Sequence, residues 1–560
     1  AGVNAGNSIT AGGNFNTVVG DEAGTAITTG DENTFIGYTA GDATTIATGN
    51  TALGFSALTT NVLGSNSVAI GRAALQVQNP ASATNMFNVA VGHGAGEAVT
   101  TGVENTLVGG LAGDALTDAD FNIAIGVAAL SADTKGNKTV AIGTGALQTQ
   151  NFTSSTDTFN TAVGYLAGSA VTTGLYNTLI GARAGDALTD ADSNVAMGTD
   201  ALTTDTLGSN SVAIGTGALN TQNFTSATNS NNTAVGHSAG TAITTGTGNT
   251  FLGAFSGDAT VDGVNNTAIG LNALGADAVG ENVAIGNNAL LACTASNNTA
   301  VGSGAGKAVT GGSQNAFVGT DAGLAVIGGA NNVCVGFRAG RAITSANGNT
   351  IVGRDAGLLT TGSGNVYVGD ACVDDGTSAA NNTCLGNGIT LAGVDTAQVV
   401  VLGSGVTSQA ANNFTFGFGA TDSNIAFGAT SISAPSDVRL KEDIQNETVG
   451  LGFVNDLRPV TFRWKKEKDI PSNMRTHVEG SDTRVMNGKY NHGFIAQEVK
   501  EVIDSHSDIK DGFDMWMEDP TDGRQRVAES ALVSILTKAI QELSAKNDAL
   551  ESRLAALEAK

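Results

Sequence analysis

Ser436 and Lys441, in "SAPSDVRLKEDI" (residues 433–444), are the pair whose types and spacing could do chemistry. A serine hydroxyl becomes a nucleophile when a neighbour takes its proton, and a lysine can be that neighbour once its amine is neutral. Such a pair performs acyl transfer without histidine. Ser-x4-Lys occurs by chance in many chains, but this one sits where the composition breaks. Residues 1–435 carry 8 Lys and Arg against 28 Asp and Glu, and no tryptophan. Residues 436–560 carry 18 against 23, hold both tryptophans and end in regularly spaced leucines. The net charge of −25 argues against nucleic acid and anionic lipid as partners.

The composition is not that of an ordinary globular chain. Glycine supplies 77 of 560 residues, while charged residues make up 14% and aromatics 5%. There is no apolar run of ~20 residues, so no membrane insertion is expected. The opening "AGVNAGNSIT" lacks the basic and apolar segments of a secretory signal. Cys293, Cys334, Cys372 and Cys384 show no metal-ligand spacing, and neither a metal nor a cofactor is expected. Cys334 in "NNVCVG" and Cys384 in "NNTCLG" replace the alanine of "NNTAVG" and read as small packing residues.

A repeat must position everything before the seam. Units such as "NTAVGHSAG" and "NSVAIGTGAL" place an anchor glycine at Gly20, Gly37, Gly54 and onward to Gly403, 23 times and mostly 17 residues apart. The gaps after Gly71, Gly143 and Gly215 widen to 21, so four-unit blocks recur every 72 residues. Seventeen residues suit one coil of a β-solenoid: a strand, a turn, a second short strand and another turn. The residue before each glycine is apolar, and the residue two earlier is usually Thr or Val, so both share one strand face. Between them Ala, or sometimes Phe35, Leu107, Phe251 or Tyr367, takes the other face. Apolar character on both faces of so thin a coil predicts a second chain against one of them. Asn precedes the glycine by four residues in 19 of 23 units, as in Asn16, Asn33, Asn105 and Asn249. Stacked coils make these a ladder of amides, each bonded to the next and to its own turn.

The widened gaps hold "QVQNPASATNMFN", "QTQNFTSSTDTFN" and "NTQNFTSATNSNN". Polar loops bearing Phe87, Phe152, Phe159 and Phe224 are expected to project from one side, as binding surfaces or as seals between chains. The acidic turns with Asp118, Asp120, Asp190 and Asp192 lack the full spacing of a calcium loop and read as solvated turns. His93 and His237 share a slot filled elsewhere by Asp21 and Tyr165, which argues against a catalytic role.

The shaft repeats resemble the head repeats of trimeric autotransporter adhesins, over roughly residues 7–405. That resemblance implies a left-handed parallel β-roll with three chains side by side, although no membrane-anchor barrel follows. After the seam come Ser436-Asp437-Val438-Arg439-Leu440-Lys441, then "LRPVTFRW", then "HGFIAQEV". In that order they resemble the intramolecular chaperone auto-processing domain of phage tailspikes, tail fibres and endosialidases, over 436–560. The resemblance implies that the domain trimerises the fibre and then cuts itself off before the motif serine. It makes Ser436 the nucleophile and Lys441 the general base, with cleavage between Pro435 and Ser436. Asp437 and Arg439 would shape the site, and His492, Gln497 and Glu498 would belong to its supporting fold.

The last residues read as a coiled coil, with Val533, Ile540, Asn547 and Leu554 at a and Leu536, Leu543, Leu550 and Leu557 at d. Asn547 is the single polar a residue, a device that fixes register. The expected architecture is mainly β. A trimeric parallel β-solenoid shaft (1–405) and a β-rich tip (406–435) precede a small α+β self-cleaving chaperone domain (436–530) and a trimeric coiled coil (531–560). The expected function is host attachment by a homotrimeric phage tail fibre or tailspike with one self-directed serine endopeptidase cleavage. Its partners would be its own copies, a phage tail or baseplate protein, and a host-surface glycan or protein receptor. Its place would be the virion tail, after assembly in the host cytoplasm. The alternatives are a tailspike depolymerase, although the repeats offer no unique acidic pair, and a non-viral trimeric adhesin.

Overall fold

The computed structural model describes residues 2–375, 378–509, 513–521 and 523–559. It divides into two compact units, Ala1–Pro435 and Ser436–Lys560. The first is a parallel β-solenoid. Each coil contributes a three-residue strand in register with the next: Thr34, Phe35 and Ile36 pair with Thr51, Ala52 and Leu53. The resulting sheet has 25 strands, ending in Asn413–Phe418 and an antiparallel return, Thr421–Ala426.

Side-chain alternation along each strand sorts inside from outside. The central residue points inward and is fully buried, whether Ala52, Leu107, Cys334 or Tyr367. Several bulky centres sit between small ones: Phe251 lies between Ala234 and Ala268, and Phe317 between Ala300 and Cys334. That alternation fills a narrow interior without overpacking it. The flanking residues point outward and leave an apolar stripe that includes exposed Val19, Leu53, Leu252, Val318, Leu385 and Leu402. Each three-residue strand is followed directly by its anchor glycine. Gly181 has φ +136°, and a Cβ there would lie 2.5 Å from the carbonyl oxygen of Gly198. Only glycine allows both that angle and that approach.

Buried asparagines tie coil to coil. Asn33 Oδ1 accepts from the Asn50 backbone N–H at 3.1 Å, and Asn33 Nδ2 donates to Ala47 O at 2.9 Å. These two partners lie on the following coil, while Asn282 and Asn298 also donate to their own turns, at Gly280 O and Ser296 O, 3.1 and 3.2 Å away. Where the ladder substitutes Ser67, Thr139 or Ser211, a buried glutamine from the insert restores the amide. Gln150 Nε2 donates to Thr139 Oγ1 at 3.1 Å, and Gln150 Oε1 accepts from Asn160 Nδ2 at 2.9 Å. Gln222 makes the same two contacts with Ser211 and Asn232.

The inserts therefore close over the shaft, and two expectations change. Phe152 and Phe224 are buried rather than projecting, their backbone N–H groups donating to Asp133 and Asp205 at 3.2 Å. Phe87 and Phe159 remain exposed. The second strand is likewise not a feature of every coil. It forms as two-residue pairs beside the inserts, such as Gly136–Asn137 with Thr156–Asp157. Elsewhere, apart from isolated bridges, turns with left-handed residues replace it. The acidic turns also join coils: Asp120 Oδ1 accepts from Val103 N at 2.8 Å, Asp192 Oδ1 from Leu175 N at 2.7 Å, and Asp118 pairs with Lys135 at 3.5 Å. Thr173 donates to Asp190 at 2.5 Å.

Asp133 gives a stability prediction. Burial pushes its carboxyl above the usual range, although Gln150 and the N–H groups of Phe152, Gly136 and Lys135 oppose that shift. A raised folded-state pKa means stability that is present below the unfolded value and lost as pH rises through the folded one. The shaft thus bears a cost at neutral pH. Asn61 occupies the same place one block earlier and donates to Gly64 O at 2.7 Å. Asp133→Asn is expected to stabilise the shaft by about 1 kcal/mol at pH 7. The gain should shrink in acid, as read by thermal unfolding at the two pH values.

The second unit is α+β. Helix α1 (Leu451–Asp456), helix α2 (Ala496–Ser505) and helix α3 (Leu532–Glu558) accompany two antiparallel pairs. These pairs are Val460–Phe462 with Asn491–Gly493 and Trp516–Glu518 with Gln525–Val527. Phe453, Val499, Met515, Leu532 and Ile535 form the centre of its core. Helix α3 has two apolar stripes. Leu532, Ile535 and Ala539 are buried, and Glu542 on the same side accepts from Leu451 N at 3.0 Å, capping α1. The other stripe, Val533, Leu536, Ile540, Leu543, Leu550, Leu554 and Leu557, is exposed.

Candidate active site

The chain from Ser436 to Lys441 folds as a single 3₁₀ turn, Val438–Leu440, between extended ends. Asp437 caps it: its Oδ1 accepts from Arg439 N at 2.9 Å, while Leu440 N donates to Asp437 O at 3.0 Å. A 3₁₀ turn takes three residues, and Lys441 resumes an extended course just after it. Its side chain returns to the start of the segment. Lys441 Nζ donates to Ser436 Oγ at 2.8 Å. The five-residue spacing and the capping aspartate together produce that contact.

Asp437 also holds Arg439 through a fork, Nε to Oδ1 at 3.0 Å and Nη2 to Oδ2 at 2.6 Å. The Arg439 guanidinium and backbone N–H beside Asp437 hold its carboxyl below the usual range. Cap and cation are thereby fixed by one side chain. Ser436 and Lys441 are both exposed on the single chain. A lysine takes a proton only as the neutral amine, a form favoured when water is excluded.

The other expected residues occupy a different part of the unit. His492 lies on the Asn491–Gly493 strand, with Nδ1 3.3 Å from Thr461 Oγ1. Gln497 is exposed on the first turn of α2. Glu498 pairs with Arg458, whose guanidinium lowers its pKa. Among the described residues, no hydrogen bond or ion pair joins these three to Ser436 or Lys441. Phe494 and Val499, between and beside them, belong to the core. A cleft of ≈ 350 Å³ lined by Asp443, Glu447, Val449, Asp508, Phe513 and Ile535 lies on the segment that follows the dyad. Glu542 was missed from sequence, although its spacing from Ile535 and Ala539 continues the buried stripe. Gly450 carries the matching signal, since a Cβ there would lie 2.7 Å from the Glu542 carboxylate.

Among the described residues no cluster of His, Cys, Asp or Glu could hold a metal ion, and no helix is long and apolar enough to cross a membrane. Residues 436–508 match the family model of the chaperone of endosialidase, a peptidase family. The match begins at Ser436, where the second compact unit begins. No curated protein matches the chain.

Proposed function

We propose that the chain is a homotrimeric phage tail fibre or tailspike whose C-terminal chaperone aligns three copies and then cuts itself away between Pro435 and Ser436. The observation that carries this reading is Lys441 Nζ at 2.8 Å from Ser436 Oγ, at the first residue of both the chaperone match and the second compact unit. In the proposed reaction Lys441, as the neutral amine, takes the Ser436 hydroxyl proton, and Oγ attacks the carbonyl carbon of Pro435. The C–N bond breaks as the Ser436 nitrogen receives the proton from Lys441, leaving an ester. Water hydrolyses that ester, freeing the Pro435 carboxylate and restoring the Ser436 hydroxyl. Exposure of the dyad on one chain supports an order in which assembly comes first, because neighbouring copies would exclude the water that keeps a lysine charged.

Two uncovered apolar stripes support the trimer, one along the outer strand face of the shaft and one along α3. The α3 stripe repeats every seven residues, the spacing of a left-handed coiled coil. The remaining partners we propose are a phage tail or baseplate protein at one end and a host-surface receptor along the shaft, in the virion tail. The test is the mass of the uncleaved Ser436→Ala protein by light scattering. The expected value is three times the 55.6 kDa chain. A monomer or dimer at micromolar concentration would overturn the assembly reading.

A further inference from the structure

Five residues before each anchor glycine the backbone is left-handed, and in 11 of the 23 slots the shaft places Asn or Gly, as at Asn210, Asn231, Gly248, Asn265, Asn297 and Asn331. Those residues take positive φ at low cost, whereas large side chains do not. Phe15, Glu32, Ser193, Glu281, Gln314 and Gln398 take other slots singly or in pairs, whereas six successive coils carry only large side chains, Phe87, Glu104, Phe121, Lys138, Phe159 and Tyr176, at φ between 49° and 62°. All are exposed, and the four rings retain 52%, 46%, 48% and 54% of their surface. The fold gains little from bulky rings held in water at a position that disfavours them. Four aromatics in one column point to a ligand.

We infer that this column binds a neutral polysaccharide lying along the shaft. Backbone bonds from the coil before hold the platforms rigidly: Phe121 N donates to Val103 O at 3.0 Å, and Tyr176 N to Thr158 O at 2.9 Å. Phe159 and Tyr176 stack at 5.8 Å between centroids, and Lys138 Nζ lies 5.2 Å over the Phe159 ring. Phe87 and Phe121 stand two coils apart, about 9.6 Å at the usual strand spacing, with Glu104 between them. That step suits a hydroxylated ring laid against each aromatic, with the Glu104 carboxylate between them. The Glu104 carboxylate has no ion-pair partner among the described residues and can accept from sugar hydroxyls. Lys138 is already held by Asp157 at 2.6 Å, so the column offers no unpaired cation to an acidic sugar. Alternating flat apolar and hydrogen-bonding groups at a regular step match a chain of hydroxylated rings.

A second copy of the chain is a poorer occupant. The next four slots along the shaft hold Ser193, Asn210, Asn231 and Gly248. A seal between copies running the whole shaft would need apolar residues there too.

The inference deepens the attachment reading and rests on it. The test compares full-length wild type with Phe87→Asn/Phe121→Asn and Phe159→Asn/Tyr176→Asn, using the residue the shaft itself carries in this slot. Probes are soluble mannan, galactan and β-glucan in affinity gels, an array of neutral and acidic oligosaccharides, and whole host cells. Either double variant should lose at least about tenfold in affinity for one neutral glycan while remaining as heat-resistant as wild type, or more so. Wild type that binds neither cells nor glycans would overturn attachment itself. Wild type that binds cells while both variants bind equally would overturn only the column. Loss of cell binding that survives periodate oxidation of the cell surface would make the partner a protein. A changed oligomeric state would make the column an inter-chain seal.

Discussion

Replacing Ser436 with alanine is expected to leave only full-length chain on a denaturing gel, where wild type should resolve into residues 1–435 and 436–560. Removing the nucleophile of an acyl-transfer pair costs on the order of 10⁶-fold in rate, which turns cleavage during expression into no detectable cleavage. The smaller wild-type fragment should begin with Ser436. Lys441 separates two roles for the 2.8 Å contact. If the amine only orients the hydroxyl by donating to it, Lys441→Arg keeps a donor there and cleavage should persist. If the amine takes the proton, arginine fails, because a guanidinium does not give up its charge near neutral pH. Failure of Lys441→Arg together with an intact trimer is the expected result. Cleavage of Ser436→Ala at the same bond would remove Ser436 from the mechanism.

The parts legible in the sequence are those set by local repetition. Period-two alternation around an anchor glycine identified the strand and put its alanine on the face opposite the flanking residues, and the recurring asparagine identified the ladder; which face turns inward came from the structure. The inserts were harder. A gap of 21 residues looks like a loop, yet Gln150 and Gln222 must be buried to bridge Thr139 and Ser211. Drawing them in brings Phe152 and Phe224 with them. The signal was present, since the glutamine always follows a unit whose ladder asparagine is missing. The aromatic column was invisible to a search for apolar periodicity, because its meaning depends on the backbone angle at each slot. In the C-terminal unit the heptad of α3 masked its second stripe, Leu532, Ile535 and Ala539, which packs against the unit's own core. Ser436 and Lys441 were found by motif order. Their exposure on the single chain is tertiary information that no spacing encodes.

Deleting residues 436–560 before expression is expected to abolish the yield of heat-resistant trimeric shaft, although every shaft residue is retained. The reason lies in the repeat. Coil follows near-identical coil, so two copies shifted by one unit still match nearly every apolar residue of the outer stripe. Such register errors cost little each and are numerous. Non-local pairing is also slow, which leaves uncovered stripes exposed to aggregation while chains search for alignment. A separate unit that brings three chains together at one end removes that freedom, and the exposed heptad stripe of α3 supplies a surface for doing so. In the proposed coiled coil Asn547 is the single polar a residue, a device that restricts helices to one register. Asn547→Leu should therefore strengthen helix association while lowering the yield of correct trimer. In the proposed order cleavage would remove the chaperone and leave the closed shaft held by the barrier to opening rather than by a continuing aid to folding. The comparison is gel mobility without boiling, for shaft 1–435 expressed alone against the same shaft released from the full chain. Identical sequence on both sides confines any difference to the route of assembly. Equal amounts of resistant trimer from both would show that the shaft aligns itself, and would reduce residues 436–560 to a removable cap.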